Sequence, residues 1–501
     1  MSLSKTKLTA ALVSLCLATL APGLSWAKDR FTVDLVNEPS SLDPQVQWNP
    51  DSYSVYRNIF DNLITRNDKG EIVAQIATSW KQISDTVVEF QMRSDVVFHD
   101  GQKLTPQDVV FSVQRITDPK FGSPQLGQFD KITKAEVAGT NAVRLTTSGP
   151  YPALLAQLVK LSIVPKHVVE AVGKDAFNLK PVGSGPYMFQ GWQRGVAVML
   201  VRNDKYWGTK GPFPTVVFRA VPDAATRVAN LQAGASDLAV TLNSDLAAQL
   251  KSSPRAKVVS VPTERVAYLR LNPTKPPFDN EKIRQAVALA VDKAGIVDGI
   301  LGGFDKPVNQ MLIPAHAGYT PDLPASPYDL KKAQALIKEA GAAAKVEIEL
   351  ATSPVFDQRV VQALQQMLVE AGLNVKINMS DMANYLKRAQ STPDIVPALS
   401  FGRWSCACLD ADGVLFPLLH KSSAWSAYRN PKVDGLLEEA RQTLDGKKRV
   451  DAYRGVNQAV IHDVPLVPLY QSAALYGAAK GLEWQPTPDE SLFLNRMTFK
   501  D

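Results

Sequence analysis

The sequence predicts an α/β protein of two or three domains, built in part on parallel strands. Three observations carry that prediction: a strand–helix–strand pattern over residues 345–379, a stapled amphipathic helix near residues 279–302, and an ordinary globular composition. Across the 501 residues, 45% are hydrophobic and 21% charged, a balance that supports buried cores in a chain too long for one of them.

In the first pattern, Val346, Ile348 and Leu350 alternate with Glu347 and Glu349, as in a half-buried strand. Asp357 is placed to cap a helix whose apolar face holds Val360, Val361, Leu364, Met367, Leu368 and Ala371. Gly372 suits the left-handed residue that ends it, and Val375, Ile377 and Met379 alternate again. Short links on both sides make this a right-handed unit with parallel strands. In the second pattern, Asp279 is the expected cap, with Phe278 and Ile283 as a hydrophobic staple. The buried stripe Ile283, Val287, Ala290, Val291, Ala294, Val297 then runs to Gly302-Gly303. Two further helices are predicted at residues 432–444 and 449–462. Strands near 86–92 and 143–147 mix with helices near 51–63 and 106–116.

The chain starts with a pattern of export. Lys5 and Lys7 precede an apolar stretch over residues 8–20, and Ser25-Trp26-Ala27 offers small residues at −3 and −1 of a cleavage site. That pattern predicts a signal peptide cut near Ala27 and a soluble periplasmic product. Leu15 stands where a lipid-modified Cys16 would need a small neighbour. Without a basic stretch interleaved with aromatics, a nucleic-acid partner is not expected. Only Cys406 and Cys408 follow the leader, so no disulfide framework holds the fold.

Catalytic patterns are missing. There is no Gly-x-Ser-x-Gly, phosphate loop, His-Glu-x-x-His or Cys-x-x-Cys. No catalytic residue, resident metal or cofactor is therefore assigned. His99, His167, His316, His420 and His462 are scattered and read as surface or capping residues. Gly183-Ser184-Gly185-Pro186 precedes a strand-like Tyr187-Met188-Phe189, so it reads as a turn rather than a phosphate cradle.

An ordered series of short segments resembles the extracellular solute-binding protein family 5, the peptide-, opine- and nickel-binding subunits of bacterial ABC importers. The series starts with Glu38-Pro39-Ser40-Ser41-Leu42-Asp43-Pro44 and Phe60-Asp61-Asn62-Leu63. Ala77-Thr78-Ser79-Trp80, Phe98-His99-Asp100-Gly101 and Gly183-Ser184-Gly185-Pro186-Tyr187 follow. Asn203-Asp204-Lys205-Tyr206-Trp207, Ile283-Arg284-Gln285-Ala286 and Ala290-Val291-Asp292 complete it. Most of these are turn and core residues: Gly183 and Gly185 allow a tight turn, and Trp80 and Trp207 are expected to be buried.

The resemblance implies a bilobal periplasmic-binding-protein-like fold: two α/β lobes, crossing hinge strands and an extra inserted domain. Domain I would comprise residues 28–60, 181–268 and 471–501, the inserted domain II 61–180, and domain III 269–470. It implies capture of a small peptide or peptide-like ligand by a monomer that serves an inner-membrane ABC permease with its ATPase subunits. A nickel, metal-chelate or haem binder on the same fold is the alternative, and a periplasmic hydrolase a more distant one.

The family's cleft segment corresponds to residues 401–412. It makes Arg403, Trp404 and Ser405 ligand-binding candidates, with Trp404 in the position of the family's stacking tryptophan. The acid that pairs with a peptide ammonium is replaced by Ala407, and the arginine for the carboxylate by Ala351 or Thr352. Asp410 and Asp412 are the candidate replacement anchors, although Asp412 also suits a helix cap. Ser40 and Ser41 are candidates for pairing with an extended peptide backbone. Cys406 and Cys408 read as small residues packing near the cleft, with oxidation in the periplasm left open, although a bridge between positions i and i+2 is sterically awkward. With His420 they make a three-ligand soft-metal alternative.

Overall fold

The computed structural model describes residues 28–47, 49–341 and 345–500. The expected leader, with Lys5, Lys7 and Cys16, lies outside the described residues. The unit over 345–379 forms strand Glu347–Thr352, helix Gln358–Glu370 and strand Asn374–Met379, with parallel strands in register. Asp357 caps the helix by accepting the Arg359 N–H at 3.0 Å, and Gly372 takes φ +107°.

The second predicted helix differs in detail. Its cap is Asn280, which accepts from the Lys282 N–H at 2.9 Å, and not Asp279. The helix Glu281–Ala290 ends where Val291 turns extended, and Asp292 then caps a separate helix, Lys293–Gly299. Asp is a strong N-cap residue, so it divides an apolar stripe that looks continuous in sequence.

The main sheet has eleven strands, and two of them are unusually long. Ala256–Leu271 and Leu466–Ala479 run antiparallel to each other over 16 and 14 residues. At about 3.3 Å per residue, the longer one spans roughly 50 Å, enough to cross both lobes. At one end they join Arg30–Leu35, Thr215–Ala220, Ala197–Arg202 and Tyr187–Gln193, over a core that includes Phe31, Tyr56, Phe218 and Tyr476. At the other end they join Leu399–Trp404, Glu347–Thr352 and Asn374–Met379, over Leu269, Val287, Leu350, Leu364 and Phe401. A four-stranded antiparallel sheet, centred on Val87–Met92 and Ala142–Thr147, has its own core of Phe90, Val113, Phe129 and Leu145. Among the described residues, no helix is long and apolar enough to cross a membrane.

Between the lobes the crossing strands lose register. Pairing stops at Pro262↔Ala473 and resumes at Val266↔Gln471. Proline supplies no N–H to the ladder, and the extra residues Thr263, Glu264 and Arg265 bulge out opposite Ser472. The bulge is fixed by Thr263 Oγ1 donating to the Ser472 carbonyl and Gln471 Nε2 donating to the Thr263 carbonyl, each at 2.7 Å. A bulge of this kind re-aims side chains, here into the space between the lobes.

Not all the histidines lie where they were expected. His316 and His420 are only 3% and 4% exposed, because each is enclosed beside a loop whose polar groups it satisfies. His316 Nδ1 accepts the Ile313 N–H at 3.0 Å, and His99 is wedged between the Gly183 N–H and the Gly185 carbonyl. Burial pushes His99 and His316 down to about 4. An unfolded histidine titrates near 6.5, so both groups contribute stability above that pH and lose it as pH falls toward 4. Urea unfolding should show stability dropping over this interval, with a shallower drop in His316→Gln. An unchanged slope in the variant would contradict the assignment.

Candidate functional site: the cleft at the crossing strands

Two cavities open beside the bulge. The first, of 170 Å³, lies against the crossing strands and is lined by Thr263, Arg265, Ser472, Tyr476 and Glu490. The second, of 380 Å³, is walled by Tyr268, Phe356, Tyr385, Trp404 and Trp425. Arg265 and Arg403 line both cavities and mark their junction.

The two arginines differ in their pairing. Arg265 forms an ion pair with Glu490. Arg403 comes from strand Leu399–Trp404, opposite Ala267, and its guanidinium lies over the Phe356 ring at 5.6 Å. Among the described residues, no carboxylate is within ion-pair distance of it. Enclosure by the cleft and the nearby Arg265 both push its pKa below the usual guanidinium range. Its side chain still meets solvent, so a cation faces the open junction. An anionic ligand group placed there would relieve both effects.

Glu264 lines neither cavity and is 3% exposed. Ser405 Oγ donates to its Oε1 at 2.7 Å, while its Oε2 has no partner. Burial pushes this carboxyl above the usual range, against the opposing pull of Arg265. Trp404 is half-buried, donates Nε1–H to the Gly413 carbonyl at 2.9 Å and meets Trp425 edge-on at 5.2 Å. One part of its ring is thereby held by the lobe, and the remainder lines the larger cavity. Trp404→Ala should weaken ligand affinity at least about tenfold, about 1.4 kcal/mol, with the thermal melt still cooperative. Unchanged affinity in a calorimetric titration would make Trp404 a packing residue only.

The other sequence candidates lie apart from this junction. Asp410 is 2% exposed, and both carboxylate oxygens accept from Arg449, at 2.9 and 2.6 Å. Its Oδ1 also accepts the Asp412 N–H. Asp412 pairs with Arg441 at 2.9 Å and starts the helix Asp412–Leu419, and burial pushes its carboxyl up to about 6. Neither acid lines the two cavities, so an anchoring role for either would need a site apart from this junction. Ser41 is buried, bonding Asn178 and the Asp43 carbonyl. Ser40 is exposed and bonds Asn49 and Ser52. Neither serine lines the two cavities, and Ala351 and Thr352 are buried in the strand.

Cys406 and Cys408 are joined by a disulfide, with Cα atoms 5.1 Å apart. The loop accommodates the short bridge because Leu409 adopts a left-handed φ of +51° and Gly413 leaves room for the sulfurs. A Cβ on Gly413 would lie 2.6 Å from Cys408 Sγ, and closer still to Cys406 Sγ. Gly413→Ala is expected to cost about 1–3 kcal/mol, and less in a Cys406→Ala/Cys408→Ala background. Equal losses in both backgrounds would contradict the contact. With the sulfurs bonded to each other, and the His420 nitrogens engaged by Ser422 and Glu438, the three do not form a metal site. The loop also meets the short strand Ile64–Arg66, since Arg66 donates to the Cys408 carbonyl.

Sequence reasoning missed Glu264, Arg265, Phe356 and Trp425. One signal was available: a Glu-Arg pair two residues after a proline, inside a strand with apolar flanks.

The architecture defines a two-lobed, hinged solute-binding protein, with its cleft where the strands cross. The chain belongs to the bacterial extracellular solute-binding proteins, family 5, whose "family 5 Middle" model matches residues 71–426. It is similar to heme-binding protein A of Haemophilus influenzae, at 29% identity over 92% of this chain and 91% of the relative. It is also similar to the dipeptide-binding protein of Escherichia coli, at 28% identity over 85% and 86%. Among solved structures, the periplasmic binding protein DppA of Helicobacter pylori, in complex with peptide STSA, is 26% identical. It aligns over 94% of this chain and 98% of that one, with a TM-score of 0.79.

Proposed function

We propose that this protein captures peptides or peptide-like solutes in the periplasm and delivers them, as a monomer, to an inner-membrane ABC permease with its ATPase subunits. The leader at residues 1–27 would direct export, and the mature protein would carry solute without transforming it. The observation that carries this reading is the unpaired Arg403 cation beside an aromatic chamber, at the junction of two lobes. Such a site suits a solute that has both a carboxylate and apolar groups. Relatives described as dipeptide- and glutathione-binding proteins support the peptide class.

Mass spectrometry of the solute that co-purifies with the exported protein tests this reading. The expected result is a peptide or amino-acid conjugate that rebinds the emptied protein. Recovery of a metal chelate or haem instead, with no peptide rebinding, would overturn it.

A further inference from the structure

Resting on that reading, we infer that the preferred solute ends in a free carboxylate carried by a residue with an aromatic or large apolar side chain. The carboxylate would pair with Arg403, and the side chain would fill the chamber walled by Tyr268, Phe356, Tyr385, Trp404 and Trp425.

Charge assigns the carboxylate. Of the two cations at the junction, Arg265 is already paired with Glu490. Asp305, whose charge acts on Arg403, accepts from the Ala473 N–H at 3.0 Å and is not within ion-pair distance of Arg403. Arg403 therefore has its guanidinium donors available, and a planar fork suits a carboxylate. Repulsion from Arg265 disfavours a second cation here, so the ammonium end of a peptide belongs elsewhere.

The chamber assigns the side chain. Its 380 Å³ falls within the usual range for small-molecule sites, roughly 300–1,000 Å³. Met382 and Leu386 complete the wall. Two of the polar tips on that wall are engaged elsewhere: the Tyr385 hydroxyl donates to the Phe401 carbonyl at 3.0 Å, and Trp404 Nε1–H to Gly413. A polar side chain entering would lose its water and gain little, whereas an aromatic ring would gain burial and edge or face contacts. Arg403 lines the chamber itself, so the carboxylate and the apolar group must be close together on the solute, as on one terminal residue.

Calorimetry on the emptied protein with Ala-Ala-Phe, Ala-Ala-Ala and the C-terminal amide of Ala-Ala-Phe tests this. Ala-Ala-Phe should bind at least about tenfold more tightly than either of the others. Arg403→Gln should erase the acid-over-amide difference, and Met382→Trp, which fills the chamber, should erase the Phe-over-Ala difference. Equal binding of acid and amide, or of Phe and Ala termini, would overturn the inference and leave the peptide reading intact. Failure of all three to bind would overturn both.

Discussion

Asp410→Ala is expected to destabilise the fold by about 3–5 kcal/mol, while ligand affinity of the folded protein changes by less than about twofold. The size of the effect follows from burial. Arg449 donates two hydrogen bonds to Asp410, and its Nε–H donates to the Ala440 carbonyl. Removing the acid leaves a guanidinium enclosed without its hydrogen-bonded carboxylate, the situation in which breaking a buried pair costs about 3–5 kcal/mol. The Asp412 N–H at the helix start loses its acceptor as well. Urea unfolding and calorimetry on the same preparation separate the two quantities. A variant of normal stability with much weaker binding would return Asp410 to the ligand site.

Asp61→Ala should cost at least about 3 kcal/mol. Asp61 is fully buried and accepts four hydrogen bonds, from Gln75 Nε2 at 2.8 Å, Tyr206 Oη at 2.9 Å, Trp207 Nε1 at 2.9 Å and Ser184 Oγ at 3.0 Å. These donors come from three separate segments, so one carboxylate ties Gln75 to the turn at Ser184 and to Tyr206-Trp207. Truncation orphans four donors, each worth about 1–3 kcal/mol when left buried without a partner. Because Trp207 is only half-buried, water will serve some of them, and the estimate stays at the low end. A loss below about 1 kcal/mol in denaturant unfolding would contradict the role.

The Asp61 node also explains why the family resemblance was legible. Phe60-Asp61-Asn62-Leu63, Gly183-Ser184-Gly185-Pro186-Tyr187 and Asn203-Asp204-Lys205-Tyr206-Trp207 are far apart in the chain yet meet at this carboxylate. Gly185 is required because a Cβ there would lie 2.7 Å from the Asn58 carbonyl oxygen, and Gly183 is more crowded still. These motifs mark the fold and not the ligand. The unit over 345–379 was legible for a different reason: its cap, apolar face and terminal glycine are local, and each agrees with the others.

The site was less legible because its residues gain their roles from register and from distant partners. Asp410 resembles a free acid beside Trp404 until Arg449, 39 residues on, is seen to hold it. Arg265 reaches the cleft only because pairing slips between Pro262 and Val266. Phe356 and Trp425 join Trp404 from different loops. Arg403 and Trp404 were within reach, since the segment that carries them could be aligned by its tryptophan.

The two lobes are expected to close over a solute held between the Thr263–Arg265 bulge and Arg403–Trp404. Small-angle X-ray scattering, on the emptied protein and on the same protein saturated with its recovered solute, tests that claim most directly. Closure about the crossing strands predicts a smaller radius of gyration with solute bound. Superimposable curves under saturation would contradict a hinged cleft.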